Sequence, residues 1–280
     1  MTERLADVSA RIDGIHQLGA VVNAMKGIAA ARAHVARTQL AAIDGYSDTI
    51  ASAIASVLAK DDRTPLATGS GKAHKGLLVF CAEQGFAGAF SEHVLASITD
   101  DPARTTLFLV GTRGLSTATT QGRAPFWSIA MPSHTAGIPK MGDLIAKTIY
   151  HSVEEGRIES LDVIYSGWHS GHLKIVRQAI FPIDLAGFSP GNTPPPLIQL
   201  TKADLVESLS ADYFHALLCK ASLHAFAAEN EARLEAMSSA GSQIERELEL
   251  YRAKLRRVRQ EEITAEIIEL STGIVSANHK

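Results

Sequence analysis

Apolar residues at Leu5, Val8, Ile12, Ile15, Leu18, Val22, Met25 and Ala29 recur in steps of three and four, the spacing of one helix face. No proline occurs from Leu5 to about Leu58, so this face predicts one long helix, alanine-rich around Ala29 to Ala42 where a partner backbone can come close. A mirror of this pattern closes the chain. From Thr201 to about Ser276 there is again no proline, and Leu234, Met237, Gly241, Ile244, Leu248, Tyr251, Leu255 and Val258 form a heptad seam. The seam slips at Gln260-Glu261-Glu262 and resumes at Ile263, Ile267, Leu270 and Ile274. Such a helix extends on the order of 100 Å at 1.5 Å per residue, too long for the core of a compact globule. Its seam needs a cover.

Between these stretches the period changes. Gly76–Phe80, Thr106–Val110 and Leu161–Tyr165 are short apolar runs with β-branched residues and read as strands. They alternate with amphipathic stretches near Glu92–Ser97, Gly114–Gln121 and Met141–Glu155, which predicts a mainly parallel α/β domain. Breakers mark both borders: Asp61-Asp62-Arg63-Thr64-Pro65 with Gly69-Ser70-Gly71, and Pro194-Pro195-Pro196. The expected organisation is an N-terminal coiled-coil helix over 1–60, a central α/β domain with linkers over 61–200, and a C-terminal coiled-coil helix over 201–280. Antiparallel pairing of the two long helices is the economical arrangement, because the domain between them returns the chain alongside itself. Two helices lying separately on a large partner, or a parallel homodimer seam, are the other geometries. The seam pairing predicts burial of Ile12, Ile15, Val22, Leu248, Leu255 and Ile263.

A net charge of −3 argues against a surface built as a whole to neutralise nucleic-acid phosphates or to coat an anionic membrane. No apolar run reaches the roughly 20 residues that span a bilayer, and Met1-Thr2-Glu3-Arg4 lacks a signal peptide's apolar core, so no direct membrane insertion is expected. The two cysteines, Cys81 in a strand and Cys219 in a helix, read as packing residues of a reducing compartment.

Several motifs invite chemistry. Gly69-Ser70-Gly71-Lys72 resembles a phosphate loop, but Leu66 and Ala73 stand where its first glycine and its hydroxyl belong, and a linker is the better reading. His169 and His172 lie in a turn without further clustered ligands, and a structural metal site needs four. Gln84–Phe90 follows a strand and reads as a tight strand-to-helix turn rather than an anion site. No cofactor, catalytic constellation or metal site is expected. The dense run Arg252, Lys254, Arg256, Arg257 and Arg259 is either a solvated flank, a contact for an acidic partner surface or a nucleic-acid helix. Its single sign is unusual for a coiled-coil flank.

Taken together, Arg11-Ile-Asp-Gly-Ile15, Asn23-Ala-Met-Lys26, Ala29-Ala-Ala-Arg32, Glu83-Gln-Gly-Phe-Ala-Gly88, Glu229-Asn-Glu-Ala-Arg-Leu-Glu-Ala-Met237 and Arg259-Gln-Glu-Glu-Ile-Thr-Ala-Glu-Ile-Ile-Glu-Leu270 resemble the gamma subunit family of F-type ATP synthases. Gly19-Ala20, Glu83-Gln84 and Leu255-Arg256 depart from the family's commoner pairs and suggest a divergent member. The resemblance implies a non-catalytic central rotor shaft, with the long helices inside a hexamer of catalytic and non-catalytic nucleotide-binding subunits (beta and alpha). It places the α/β domain near the epsilon subunit and the membrane ring of c subunits, on the cytoplasmic face of the bacterial plasma membrane. The resemblance implies interface residues at Met25, Lys26, Arg259 and Gln260, and the acidic-partner reading of the basic run adds Arg252, Arg256 and Arg257. Nucleic acid is not an expected partner; a basic coiled-coil scaffold or nucleic-acid-binding protein is the alternative.

Overall fold

The computed structural model of the chain describes residues 5–58, 74–169, 172–184, 188 and 197–277, with backbone alone at 168, 169 and 271–277. Helix α1 spans Leu5–Val57 and helix α5 spans Lys202–Ala277. Thr201 starts α5 in the manner of a capping box: its Oγ1 accepts from the Asp204 N–H at 3.2 Å and donates to the Asp204 carboxylate at 2.6 Å. Residues folding between them give strands β1 (Lys75–Phe80), β2 (Thr105–Val110), β3 (Trp127–Ile129), β4 (Ser160–His169) and β5 (His172–Phe181), with helices α2 (Phe90–Ala96), α3 (Thr112–Thr120) and α4 (Ile138–Glu154). The chain divides into two compact units, one of residues 1–28 with 234–280 and one of residues 29–233.

In the larger unit the sheet runs β3-β2-β1-β4-β5, parallel throughout except for the antiparallel edge pair β4–β5. Both faces of the central strands are covered, which is why they read as unbroken apolar runs. Leu78, Phe80, Phe108, Val110, Val163 and Tyr165 face a core shared with α4 and α5, while Leu77, Val79, Cys81, Leu109 and Ile164 face α2 and α3. Gly114 lets α3 lie directly on β1, since a Cβ there would stand 2.0 Å from that of Cys81. The α1 and α5 segments of this unit run antiparallel: Arg37 pairs with Glu231 at 2.7 Å and Asp44 with Lys220 at 2.7 Å, and further along Ile50, Ile54 and Leu58 cluster with Ala216. Ala29, Ala33 and Ala36 are fully buried on α1, consistent with close helix approach at an alanine seam.

At the sheet edge, Arg177 of β5 bonds Asp162 of β4 at 2.7 Å and forks onto both oxygens of Asp100 at 2.7 Å, while Lys75 reaches Asp162 at 2.6 Å. The hydrogen bonds from Arg177 hold the Asp100 carboxyl below the usual carboxylate range, against a smaller opposing effect of burial. A depressed folded-state value stabilises the unit above the unfolded value of about 4, and that contribution is lost as pH falls through the folded value. Acid melts of the chain are therefore expected to steepen below about pH 4, and Asp100→Asn should flatten that part of the profile. An unchanged profile in the variant would show that the edge clamp contributes nothing.

The smaller unit is a two-helix seam. Arg252 donates to His16 Nε2 at 3.2 Å, and a Cβ on Gly19 would sit 3.3 Å from Ile244 Cγ2, so the segments are antiparallel here as well. Val8, Ile12, Ile15, Val22, Met237 and Val258 are buried. Leu248 and Leu255 are half-buried, because two helices alone leave the flanks of a seam open. The expected burial of Ile263 is not observed; it is 51% exposed, as are Ile267 and Leu270 to a greater degree, because this register brings Leu5 level with about residue 263. Leu18 is likewise exposed, and Gly19 takes its place on the seam. This explains one departure from the family pattern: a glycine at 19 admits the close approach of Ile244.

Candidate partner interface

Helix α1 carries a second apolar stripe in the smaller unit. Leu18, Val21 and Ile28 are 54%, 56% and 55% exposed, and the half-buried Met25 completes their three-four alternation. Lys26 is exposed beside it. Two apolar faces on one helix cannot both be covered by α5, so this one is left for another surface.

The basic run of α5 does not act as a unit. Arg252 is committed to His16, Arg257 lies 3.7 Å from Glu261 one turn on, and Lys254 stands 5.9 Å from the Tyr251 ring centre. Arg256, Arg259 and Gln260 are exposed, and the Gln260 carbonyl accepts from the Thr264 hydroxyl at 2.8 Å. The structure thus brings Arg252 against α1 and leaves Arg256, Arg259 and Gln260 projecting. It brings none of these residues to Met25 or Lys26.

In the larger unit, the turn Glu83–Gly88 follows β1 at the crevice outside the carboxyl ends of the parallel strands, where Glu83 reaches toward β2 and β3. Open α/β sheets hold ligands in that crevice. Here the protein's own side chains fill it. The Glu83 carboxylate accepts from the Thr112 N–H at 2.9 Å, the Thr112 hydroxyl at 2.7 Å and the Met131 N–H at 2.9 Å, taking the place an anion would have at the start of α3. The Glu229 carboxylate of α5 accepts from the Glu83 and Gln84 N–H groups at 3.1 and 3.2 Å. Arg233, one helical turn on, is ion-paired with Glu229 and donates to the carbonyls of Gln84 at 3.0 Å and Gly85 at 3.1 Å and to Asn230 Oδ1 at 3.2 Å. Arg32 reaches Gln84 Oε1 at 3.3 Å. So held, Phe86 takes a left-handed backbone (φ 62°) with its ring 66% exposed, a conformation that costs a non-glycine residue about 1–3 kcal/mol. The strand-to-helix turn was legible in the sequence; the clasp was not. Its signal was the Glu229–Arg233 pair, four residues apart beside the alanines Ala225, Ala227, Ala228 and Ala232.

Burial pushes the Cys81 thiol up to about 12, with Glu92 and Glu229 adding to the shift, and burial next to Asp143 pushes Cys219 up to about 11. Both are therefore protonated, inert packing residues. His215, 3.7 Å from Cys219 Sγ, bonds Asp143 and the Pro139 carbonyl, both at 3.1 Å. His169 and His172 are register partners at the end of the β4–β5 hairpin, whose residues 170 and 171 lie outside the described ones, as do the Gly69–Lys72 stretch and the three prolines. Among the described residues no three or more His, Cys, Asp or Glu are placed to share a metal ion, and no helix is long and apolar enough to cross a membrane.

A family model described as ATP synthase matches residues 4–276. The ATP synthase gamma chain of Frankia casuarinae is 26% identical over 290 residues, covering 98% of this chain and 97% of that one. That of Mesorhizobium japonicum is 27% identical over 299 residues, covering 96% and 98%. Among solved structures, the rotor of Euglena gracilis mitochondrial ATP synthase in rotational state 1 superposes with a TM-score of 0.64 at 14% identity, covering 92% of this chain and 98% of that one. A chain of the same enzyme's OSCP/F1/c-ring structure in rotational state 3 reaches 0.67 at 14%, covering 97% and 94%. At that identity the likeness carries the fold, while the family model spans nearly every residue, and the chain accordingly belongs to the ATP synthase gamma family, the non-catalytic shaft subunits of the rotary enzyme.

Proposed function

We propose that this gamma chain engages alpha and beta nucleotide-binding subunits through the exposed faces of its two-helix segment, and an epsilon subunit and the ring of c subunits through its α/β unit, at the cytoplasmic face of a bacterial plasma membrane. As a gamma chain it is the central rotor shaft of a peripheral, membrane-associated ATP synthase, coupling ion-driven rotation to ATP synthesis or hydrolysis carried out by other subunits. An asymmetric shaft presents a different face to each of several chemically identical catalytic subunits. It thereby biases their conformational equilibria by its differential contacts with each state. The observation that carries the partner reading is the apolar surface left bare on both long helices: Leu18, Val21 and Ile28 on α1, and Ile263, Ile267 and Leu270 on α5. The relatives in solved structures come from a rotor and from an F1/c-ring assembly.

Within this surface Met25 and Lys26 form a collar that slides, because an apolar stripe has no directional bond to break. Arg256, Arg257, Arg259 and Gln260 supply directional contacts to acidic or polar loops, and Arg252 supports them by fixing α5 to His16. Lys26→Ala is expected to lower the number of ions moved per ATP while leaving assembly intact; unchanged coupling in ion-pumping assays would remove Lys26 from the interface. The reading as a whole is tested by co-purification of the tagged chain. A stoichiometric complex with two kinds of nucleotide-binding subunit is expected, and recovery as a free monomer would contradict it.

A further inference from the structure

We propose that Glu229 and Arg233 are the positioning residues that lock α5 against the α/β unit under torque, with the Glu83–Gly88 turn as the part they grip. The inference rests on the rotor-shaft function and adds to it the place where turning force passes between helix and sheet. A helix buried in a domain can resist rotation about its own axis by steric interlock or by directional bonds. Around the clasp, α5 presents Ala225, Ala227, Ala228 and Ala232 to the core, with Phe226 as the one large apolar side chain among them, all buried. Methyl groups interlock weakly, and hydrophobic contact has no direction. Besides the exposed contact of His215 with the Pro139 carbonyl, directional resistance falls to the bonds at Glu229 and Arg233, which are buried.

Those bonds oppose rotation in both senses. The Glu229 carboxylate accepts two main-chain N–H groups, from Glu83 and Gln84, while the Arg233 guanidinium donates to two main-chain carbonyls, of Gln84 and Gly85. Gripped at donors and acceptors alike, the turn cannot slide along α5 without breaking charge-assisted bonds. The turn is anchored to the sheet from its other side by the Glu83 carboxylate on Thr112 and Met131. A continuous chain of hydrogen bonds thus runs from α5 through the turn to the start of α3 and the loop after β3. Both clasp side chains are about 95% buried, so water does not compete for these bonds.

The test uses the reconstituted full ATP synthase complex carrying Arg233→Lys or Glu229→Gln. Arg233→Lys keeps the buried charge and gives up the planar fork that reaches both carbonyls. Amide hydrogen exchange at Gln84, Gly85 and Phe86 is expected to quicken about tenfold to a hundredfold, the factor to which a lost charge-assisted bond converts. ATP hydrolysis without an ion gradient is expected at the wild-type rate, while ATP synthesis against a high phosphorylation load is lost. Wild-type synthesis under load together with quickened exchange would reduce the clasp to a packing feature and overturn the proposal, as would unchanged exchange. Should Glu229→Gln not assemble, Arg233→Lys decides by the same readouts. A wild-type complex that hydrolyses ATP without any ion coupling would instead overturn the shaft function on which the proposal stands.

Discussion

Replacing Arg233 by Ala is expected to destabilise the α/β unit by about 3–5 kcal/mol, the cost of leaving a buried carboxylate without its partner. Glu229 would keep two main-chain N–H donors and lose the guanidinium, and the carbonyls of Gln84 and Gly85 would lose their donor inside a closed crevice. The turn then has less to hold Phe86 in its left-handed conformation. Thermal or denaturant unfolding of the isolated chain measures the effect. A change below about 1 kcal/mol, typical of exposed pairs, would mean that the pair is solvated in solution. The double variant Glu229→Met/Arg233→Met should recover part of the loss, because replacing both buried charges by apolar groups is often close to neutral.

Replacing Arg259 and Gln260 together by Ala is expected to lower steady-state multi-site ATPase of the reconstituted complex about tenfold or more. A hydrogen bond to a charged group is worth roughly 1.5–3 kcal/mol, and each 1.4 kcal/mol of a rate barrier is a factor of ten. Both side chains are exposed on α5, which uses neither for packing among the described residues. Helicity and the nucleotide sites of the other subunits should be unaffected, which circular dichroism and nucleotide titration check. Turnover and rotation both equal to wild type would exclude these two residues as a contact that favours particular rotary positions.

The long helices were legible in the sequence because their apolar period, lack of proline and alanine content all agree, and antiparallel pairing followed from the domain between them. Burial along the seam was legible at Ile12, Ile15 and Val22, less so at Leu248 and Leu255, which are half-buried, and not at Leu18 or Ile263. Ile263 has the right spacing, but spacing does not say which residues of the partner helix lie level with it, and here Leu5, the first described residue of α1, is near that level. The central strands β1, β2 and β4 announced themselves as apolar runs because helices cover both faces. The edge strand β5 was missed, since Lys174, Arg177 and Gln178 interrupt its pattern and Arg177 serves Asp100 and Asp162 rather than solvent. Three-residue β3 carries too little pattern to separate it from a loop. At the candidate interface, the sequence could name the basic residues without distinguishing Arg252, which reaches across to His16, from Arg259, which reaches nothing in its own chain among the described residues. The nucleic-acid alternative weakens on the same ground, since the basic run is divided between internal and outward roles, and the family match over residues 4–276 does not favour it.

Rotation itself tests the central claim most directly. With the catalytic subunits of a reconstituted complex fixed to a surface and a probe attached to an exposed position of the α/β unit, such as Lys174 replaced by Cys, ATP should drive unidirectional turning of the probe at a rate proportional to hydrolysis. A complex that hydrolyses ATP at full rate while the probe stays still, or turns at random, would contradict a shaft role for this chain.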